Sequence, residues 1–243
     1  MNKVALVTGS QRGIGKATII SFAQKGYDVV IDYYEEEEKA ISLKEQIEKE
    51  YGVKALAIKA DVRVESEVQA LIEQIVKTFG RIDVLVNNAG IAIDKEFESH
   101  TIQDWHDTID TNLIGPFLVS KYAAKEMVKV GGGRIINISS TNATKAFFPT
   151  SVAYDASKAG LVNLTHNLAI LYAPYINVNA VLPHWVNTDM NKDLPKELID
   201  EETEKIYLKR FAEPEEIAKV VVFLASDDAN YVNNSIIEVS GGY

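Results

Sequence analysis

The sequence predicts an α/β fold in which a doubly wound, seven-stranded parallel sheet carries helices on both faces. Short apolar runs rich in β-branched residues alternate with longer helix-like segments from one end of the chain to the other. These runs are nearly continuous rather than alternately apolar and polar, which is typical of strands buried on both faces. Ligands of such sheets bind beyond the carboxyl ends of the strands. We predict strands near residues 3–8, 28–33, 53–59, 82–87, 133–139, 176–182 and 235–240.

The composition excludes several classes of function. The 243 residues, 47% of them hydrophobic, suit a single domain spanning residues 1–243. There is no cysteine, which excludes disulfides and sulfur-based metal sites, and no histidine spacing predicts a metal site. A net charge of −10 repels nucleic acid and anionic membranes, and no apolar segment approaches the ~18 residues that span a bilayer. We therefore expect a cytoplasmic protein with a small-molecule substrate, no nucleic-acid partner and no membrane partner.

The first predicted strand leads into a glycine-rich turn and then a helix. Gly9, Gly13 and Gly15 follow the apolar run Val4–Thr8, and the helix-like segment KATIISFAQKG comes next. This order is typical of a dinucleotide site, because the free backbone N–H groups and the positive dipole end of the helix attract a pyrophosphate. The alternative is an ordinary glycine-rich connection between a strand and a helix.

Acidic residues follow the second predicted strand, where a dinucleotide would place its adenosine ribose. Asp32-Tyr33-Tyr34 is followed by four glutamates, Glu35–Glu38. An acid at the ribose binds the 2′-hydroxyl of NAD, whereas a basic residue accepts the 2′-phosphate of NADP. Asp32 and Glu35 would repel that phosphate if they point inward. The alternative for the glutamates is the solvated first turn of a helix.

A Tyr-x-x-x-Lys pair, Tyr154 and Lys158, lies downstream of a predicted strand that ends in Ser139 and Ser140. On a helix, residues at this spacing share one face about one turn apart. An ammonium beside the phenol would lower the phenol pKa from about 10 by roughly 1–3 units. Tyr154 would then exchange a proton near neutral pH. Taken alone, such a pair is more often part of a solvated helix face, and only the rest of the sequence favours the catalytic interpretation.

Together these motifs resemble the short-chain dehydrogenase/reductase family over nearly the whole chain. The glycine turn is joined by Asn87-Asn88-Ala89-Gly90, by Asn112 within a long helical segment, and by Ser140 and the Tyr-x-x-x-Lys pair. The resemblance implies a Rossmann-type fold and hydride transfer between a nicotinamide cofactor and a carbonyl or alcohol. It makes Tyr154 the acid and base, supported by Lys158. Ser140 would hold the substrate oxygen, and Asn112 would link the proton relay to solvent.

The resemblance also implies which residues hold the cofactor: Gly9, Gln11, Arg12, Gly13, Ile14, Gly15, Tyr33, Asp61, Val62, Asn88, Ala89, Gly90, Tyr154, Lys158, Pro183, Val186 and Thr188. Asp61 and the Val62 backbone would hold the adenine, although Asp61 could instead cap the following helix. The family acid that selects NAD usually stands where this chain has Tyr33, and the arginine that selects NADP stands at Tyr34. Neither is present. Because Arg12 resembles a family feature associated with NADP, we expect a modest preference for NADP(H) over NAD(H).

Two segments depart from the family pattern. After the sixth predicted strand the family usually has Pro-Gly, but this chain has Pro183-His184. We expect His184 to be structural or to lie at the pocket rim. The interval between Ser140 and Tyr154 is one residue longer than usual, and its Phe147-Phe148-Pro149 segment would line one wall of the substrate pocket.

Further segments bear on the substrate and on assembly. The charged helical segment 191–209 would cover the substrate as a lid, and its low apolar density favours mobility. The residues expected to determine which substrate fits are Trp185, Met190, Leu194 and Tyr207. By the resemblance, helices at 101–130 and 154–173 pair across subunits, which implies a homodimer or homotetramer. The predicted contact stripe comprises Phe117, Val119, Tyr122 and Ala123.

The function predicted from the sequence is an NAD(P)(H)-dependent oxidoreductase that interconverts a carbonyl and an alcohol. A 3-oxoacyl-[acyl-carrier-protein] reductase is one alternative. Carrier proteins are acidic, however, and the chain offers only Lys125 and Lys129 as obvious basic residues near the expected entrance. The other alternative is a cofactor-binding regulator without turnover, which the fold alone would allow. Retention of all four expected catalytic residues argues against a regulator.

Overall fold

The predicted seven strands are present in the computed structural model, which describes residues 2–145, 148–192 and 194–243. The strands are β1 (Val4–Val7), β2 (Asp28–Tyr33), β3 (Ala55–Lys59), β4 (Val84–Asn87), β5 (Gly133–Ile138), β6 (Ile176–Pro183) and β7 (Ile236–Val239). They form one sheet in the order β3-β2-β1-β4-β5-β6-β7. Every pairing is parallel. The fold class predicted from the sequence is confirmed.

Helices cover both faces of the sheet. The α-helices of the described chain are α1 (Gly13–Gln24), α2 (Glu37–Tyr51), α3 (Glu65–Phe79), α4 (Ile102–Ile109), α5 (Gly115–Lys129), α6 (Val152–Tyr172), α7 (Lys196–Lys205) and α8 (Pro214–Ala225). Residues of α3, α5 and α6 pack in one hydrophobic core, and residues of α1, α2 and α8 pack in the other. Leu6 faces the first core and Val7 the second, since successive strand side chains alternate. Within the described residues, none of the helices has the length and apolar character required to cross a membrane.

The helix predicted over residues 101–130 is interrupted at Asn112. A π-helical turn, Asp110–Ile114, joins α4 to α5 and has Asn112 at its centre. The Gly115 N–H accordingly donates to the carbonyl of Asp110, five residues earlier. Pro116 has no N–H, so the donor that a regular α-helix would direct to the Asn112 carbonyl is missing. Turns of this kind are frequent at functional sites, and this one lies beside the cleft described below.

The predicted intersubunit stripe on α5 is wrong for two of its members. Val119 and Ala123 are fully buried in the core, because they lie on the face of α5 that packs against the sheet. Phe117, by contrast, is 43% exposed. The hydroxyl of Tyr122 donates to Glu65 of α3 at 2.6 Å.

A buried polar network fixes the middle of the sheet. The Asn87 amide donates to the Asn137 side chain at 2.8 Å and to the Ser120 hydroxyl at 2.9 Å. Asn137 donates in turn to Thr165 at 2.9 Å. These bonds connect β4, β5, α5 and α6 directly below the carboxyl ends of the strands. Since buried polar groups are costly unless paired, the network holds these four elements in one arrangement beneath the candidate site.

Candidate active site

A cleft of about 550 Å³ opens at the carboxyl ends of the strands, where the sequence places the ligand site. The predicted residues that line it are Gly9, Gln11, Arg12, Gly13, Ile14, Asp61, Val62, Asn88, Ala89, Gly90, Ser140, Tyr154, Lys158, Pro183, Val186 and Thr188. Of the remaining predicted residues, Gly15, Tyr33 and Asn112 lie behind this surface. The described residues contain no cluster of His, Asp or Glu that could hold a metal ion.

The glycine turn forms a cradle against the loop that follows β4. Gly9 has φ +59, and a Cβ there would come within 3.0 Å of the Ala89 backbone. A Cβ on Gly15 would come within 2.5 Å of the Asn88 amide, so Gly15 is needed for packing of the turn. The Thr8 hydroxyl accepts from the N–H groups of Asn88 and Ala89, both at 3.0 Å. No side chain caps the start of α1, so its first N–H groups fit the pyrophosphate of a dinucleotide.

The structure corrects the prediction for Tyr33. Its side chain is 5% exposed and packs in the hydrophobic core, whereas Tyr34 and Glu35 line the cleft. The reason is the alternation of side chains along β2, which turns Tyr33 away from the cleft. Asp32 faces the glycine turn, and its carboxyl accepts from the Gly9 N–H at 3.2 Å. Burial raises the pKa of Asp32 to about 8, so this acid is largely uncharged at neutral pH.

An ion pair that the sequence analysis missed lies at the adenine end of the cleft. Arg63 binds Asp61 through two parallel hydrogen bonds, from Nε at 2.9 Å and from Nη2 at 2.7 Å. The Arg63 guanidinium also lies 5.3 Å from the ring centroid of Tyr34. The helix-capping alternative for Asp61 is not observed, because Val64 is the residue preceding α3 and Asp61 bonds to the Arg63 N–H instead. The signal available in the sequence was a basic residue directly after Asp61-Val62.

Ser140, Tyr154 and Lys158 come together at the other end of the cleft. Lys158 is 4% exposed, and its Nζ donates to the Ile138 carbonyl at 2.9 Å. The same Nζ lies 5.5 Å from the centroid of the Tyr154 ring. Ser140 is hydrogen-bonded to the Tyr154 side chain and also to Asn142, whose N–H donates to the Ser140 hydroxyl at 3.2 Å. Asn142 in turn donates to Asp155 at 2.7 Å, which fixes the serine relative to the tyrosine helix.

The pKa values of this pair differ from the sequence expectation. Burial raises the pKa of Tyr154 to about 12, and the hydrogen bond with Ser140 opposes this rise. Burial lowers the pKa of Lys158 to about 8. The expectation that Lys158 lowers the phenol pKa is therefore wrong for the protein alone, because removal from water disfavours the charged form of each group. Tyr154 is a neutral phenol at pH 7 and can donate a proton.

Asn112 lies beneath the loop that follows Gly90. Its amide donates to the Ile91 carbonyl at 2.8 Å and to Ser157 at 3.0 Å, and its Oδ1 accepts from the Ile91 N–H at 2.9 Å. A Cβ on Gly90 would lie 3.2 Å from Asn112 Oδ1 and 3.4 Å from Lys158 Nζ. Gly90 therefore lets the loop pass between the two polar side chains. The arrangement brings Asn112 close to Lys158 without a direct bond between them.

His184 lines the cleft beside Pro183 and is held there by its neighbours. Its Nδ1 lies 2.8 Å from the hydroxyl of Thr141, and its ring centroid lies 3.9 Å from that of Tyr243. Burial lowers the pKa of His184 to about 4, so the imidazole is neutral at physiological pH. These contacts agree with the structural role predicted for it.

The lid segment is anchored through a buried acidic residue. Glu202 of α7 is fully buried and accepts from Trp185 at 2.9 Å and from Tyr243 at 2.7 Å. Trp185 therefore holds the lid helix and is absent from the cleft lining, in contrast to its predicted substrate role. Met190 does line the cleft, whereas Tyr207 is 81% exposed. Phe147 lies outside the described residues, and the ring centroid of Phe148 lies 6.0 Å from that of Trp185.

Comparisons with known proteins agree with this geometry. Residues 9–243 match a family model described as enoyl-(acyl carrier protein) reductase. A 3-oxoacyl-[acyl-carrier-protein] reductase, FabG, of Staphylococcus epidermidis is 42% identical over 243 residues, covering 100% of this chain and 99% of the relative. A doubly substituted short-chain dehydrogenase/reductase from Serratia marcescens has a TM-score of 0.94 at 36% identity, covering 99% of this chain and 97% of that chain. A blue fluorescent protein from a metagenomic library, solved in complex with NADPH, gives a TM-score of 0.94 at 35% identity, with coverage of 99% and 97%.

Proposed function

Because the chain belongs to the short-chain dehydrogenase/reductase family, and is an NAD(P)-dependent oxidoreductase acting on a carbonyl or an alcohol, we propose that it reduces ketone carbonyls with NADPH. The observation that carries the proposal is the convergence of Ser140, Lys158 and the Tyr154 phenol in the cleft. The phenol pKa of about 12 keeps Tyr154 protonated at neutral pH. Reduction requires a proton donor at the carbonyl oxygen, and a half-buried phenol that lines the cleft and is hydrogen-bonded to Ser140 is such a donor.

The proposed mechanism divides the reaction among four side chains. NADPH, when bound, supplies the hydride. Ser140 holds the carbonyl oxygen against the Tyr154 hydroxyl, and Tyr154 donates its proton as negative charge develops on that oxygen. Lys158, buried beneath the ring, stabilises the tyrosinate that remains and returns a proton to it. Asn112 donates to the Ile91 carbonyl and to Ser157. These bonds hold the loop that follows β4 against α6, the helix that carries Lys158.

The cofactor fits the described residues along the whole cleft. The glycine turn and the uncapped start of α1 would hold the pyrophosphate, while Asp61 and Val62 would hold the adenine. Lys158 would hold the nicotinamide ribose, and Pro183, Val186 and Thr188 would surround the nicotinamide. We propose a modest preference for NADP(H) over NAD(H). It is supported by Arg12, which lines the cleft near the expected 2′-phosphate, and by Lys39 of α2, which borders the adjoining cavity together with Arg12. Asp32 does not oppose this preference at neutral pH, because its carboxyl is largely protonated.

A 3-oxoacyl-[acyl-carrier-protein] reductase is the second candidate, since the relative from Staphylococcus epidermidis carries that name at 42% identity. The charge at the expected entrance favours a small ketone instead. Lys125 and Lys129, the two basic residues singled out in the sequence, lie at the end of α5 that leads into the start of β5, away from the carboxyl ends of the strands. Lys129 is also paired with Glu126 at 2.7 Å, so the pair offers little attraction for an acidic carrier protein at the cleft. Ile91, Ala92 and Met190 give the cleft an apolar portion that suits a short aliphatic or aryl ketone.

The test is a panel of substrates followed through the absorbance of the reduced cofactor. The panel comprises ketones, aldehydes, a 3-oxoacyl thioester of a small thiol and the same acyl group on acyl carrier protein, each with NADPH and with NADH. Faster turnover of ketones than of both thioesters supports the proposal. Turnover confined to the carrier-protein thioester would establish the second candidate, and no turnover of any member would reject both.

We also propose that the protein forms a homodimer or homotetramer and is located in the cytoplasm. The oligomer is supported by large apolar side chains exposed on and before α4 and α5, with Phe97 at 65%, Ile102 at 74% and Phe117 at 43% exposed. Light scattering at micromolar concentration tests it, and a monomer would contradict it.

A further inference from the structure

The side chain of Glu36 lies between two cations at the ribose end of the cleft. Its carboxylate lies 3.5 Å from Arg12 Nη1 and is hydrogen-bonded to Lys39 Nζ. Arg12 lines the cofactor cleft, and both cations border the adjoining cavity of about 670 Å³. One carboxylate thus pairs with two positive groups that a cofactor phosphate would meet in this region and offsets one of their two charges.

The charge state of Glu36 supports the pairing. The hydrogen bond from Lys39 lowers the pKa of Glu36, and the nearby Arg12 lowers it further against the opposing effect of burial. The residue is therefore an anion at neutral pH. Its Oε2 is buried, lies 3.5 Å from Arg12 Nη1, and the Gln11 side chain also interacts with this carboxylate.

The backbone at Glu36 is also unusual. Its φ of +60 places a non-glycine residue in the left-handed region directly before α2. Such a conformation is uncommon for a residue with a β-carbon, and in it the Glu36 carboxylate contacts Arg12. The neighbouring Glu35 lines the cleft, while Glu38 is exposed on α2. Of the four glutamates, Glu36 is the one that forms ion pairs with both Arg12 and Lys39 within the described residues.

We propose that the Glu36 carboxylate occupies the anion site that Arg12 and Lys39 offer to a 2′-phosphate, and so limits the preference for NADPH over NADH. NADPH binds only after its phosphate displaces this carboxylate from the two cations. NADH, with a 2′-hydroxyl in place of the phosphate, binds with Glu36 still paired to the two cations. The inference rests on the proposed use of NADPH and identifies Glu36 as a specificity-determining residue.

Titration of Glu36→Gln with NADPH and with NADH, followed by cofactor fluorescence, tests the inference. We expect NADPH to bind about tenfold more tightly than to the wild type and NADH to change by less than threefold. Glu38→Gln is the matched control, because it removes the same charge from the same run of glutamates without altering an Arg12 contact. Equal changes for both cofactors, or an equal gain in the control, would overturn the proposal.

Two further variants, measured by the same binding titration, separate the role of Glu36 from effects on folding and on turnover. Glu36→Asn removes the charge with a residue that tolerates positive φ, and it should reproduce the gain in NADPH affinity. In the Arg12→Ala background the Glu36→Gln gain should shrink to less than threefold, since the two sites are coupled. An undiminished gain would show that Glu36 acts elsewhere. These are binding measurements, so absence of ketone turnover would reject the proposed reaction and leave the role of Glu36 standing.

Discussion

Lys158 lies beneath the Tyr154 ring, with its Nζ 5.5 Å from the ring centroid, and donates to the Ile138 carbonyl at 2.9 Å. The ammonium is thus held by the end of β5, one turn of α6 away from the phenol. This placement keeps both groups largely out of water, and burial moves the two pKa values in opposite directions, with tyrosine at about 12 and lysine at about 8. In the free protein Tyr154 is therefore protonated at neutral pH and can donate its proton.

Replacement of Tyr154 by phenylalanine should remove the proton donor and little else. We expect kcat for ketone reduction to fall by 10²–10⁴-fold, the usual contribution of a positioned acid, because the ring still packs over Lys158. NADPH affinity should change by less than threefold, as measured by fluorescence titration. A variant with kcat within tenfold of the wild type would reject Tyr154 as the donor.

The rate of reduction should fall above about pH 8. Lys158 must carry a proton to replenish Tyr154, and its pKa is lowered to about 8 by burial. Above that pH the lysine becomes neutral and the relay fails, whereas an unperturbed lysine would sustain it to about pH 10.4. The measurement is kcat for ketone reduction from pH 6 to 10 at saturating NADPH. A rate that stays level to pH 9.5 would contradict the low pKa.

The Tyr154–Lys158 pair and the glycine turn were predictable because their signals are local. Residues four apart share a helix face, and a strand, glycine turn and helix specify a phosphate cradle without knowledge of the rest of the chain. The roles of Tyr33, Glu36 and Arg63 were not predictable in this way. They depend on where β2 ends and on which side chains from α1, α2 and the loop before α3 meet there, and a one-residue shift along a strand reverses the direction of a side chain. The predicted lowering of the Tyr154 pKa was wrong for a related reason. Burial raises this pKa, and burial is a property of the assembled fold.

Replacement of Asp32 by asparagine should stabilise the protein increasingly as the pH rises. The folded-state pKa is about 8, whereas an unfolded aspartate titrates near 3.9. Between these values the folded state holds a proton that the unfolded chain has lost, so the free energy of unfolding of the wild type falls as pH rises through this window. Asparagine does not titrate, and its Oδ1 can still accept from the Gly9 N–H.

The measurement for Asp32→Asn is Tm at pH 5 and at pH 8.5. We expect the variant to gain at least about 1 kcal/mol over the wild type between the two, which corresponds to about 2–4 °C for a chain of this size. Asp200→Asn, an exposed carboxylate of α7, is the control and should show no comparable trend. A difference between Asp32→Asn and wild type that is the same at both pH values would contradict the raised pKa.

Replacement of Arg12 by alanine should weaken the binding of NADPH selectively. Arg12 is 55% exposed and is paired in the free protein with Glu36 at 3.5 Å. A charge-assisted hydrogen bond to the 2′-phosphate contributes about 1.5–3 kcal/mol, and loss of the Glu36 pair offsets part of it. We therefore expect NADPH affinity to fall by about tenfold, since 1.4 kcal/mol corresponds to a factor of ten.

The same Arg12→Ala variant should bind NADH within threefold of the wild type, because a 2′-hydroxyl offers the guanidinium no charge. Lys77→Ala removes an equal charge from the exposed end of α3 and should leave both affinities unchanged. Raising the salt concentration should weaken NADPH binding more in the wild type than in Arg12→Ala, since the ion pair lost in the variant is partly screened by salt. Equal losses for NADPH and NADH would show that Arg12 only shapes the glycine turn, and a wild type that binds NADH more tightly than NADPH would reverse the proposed cofactor preference.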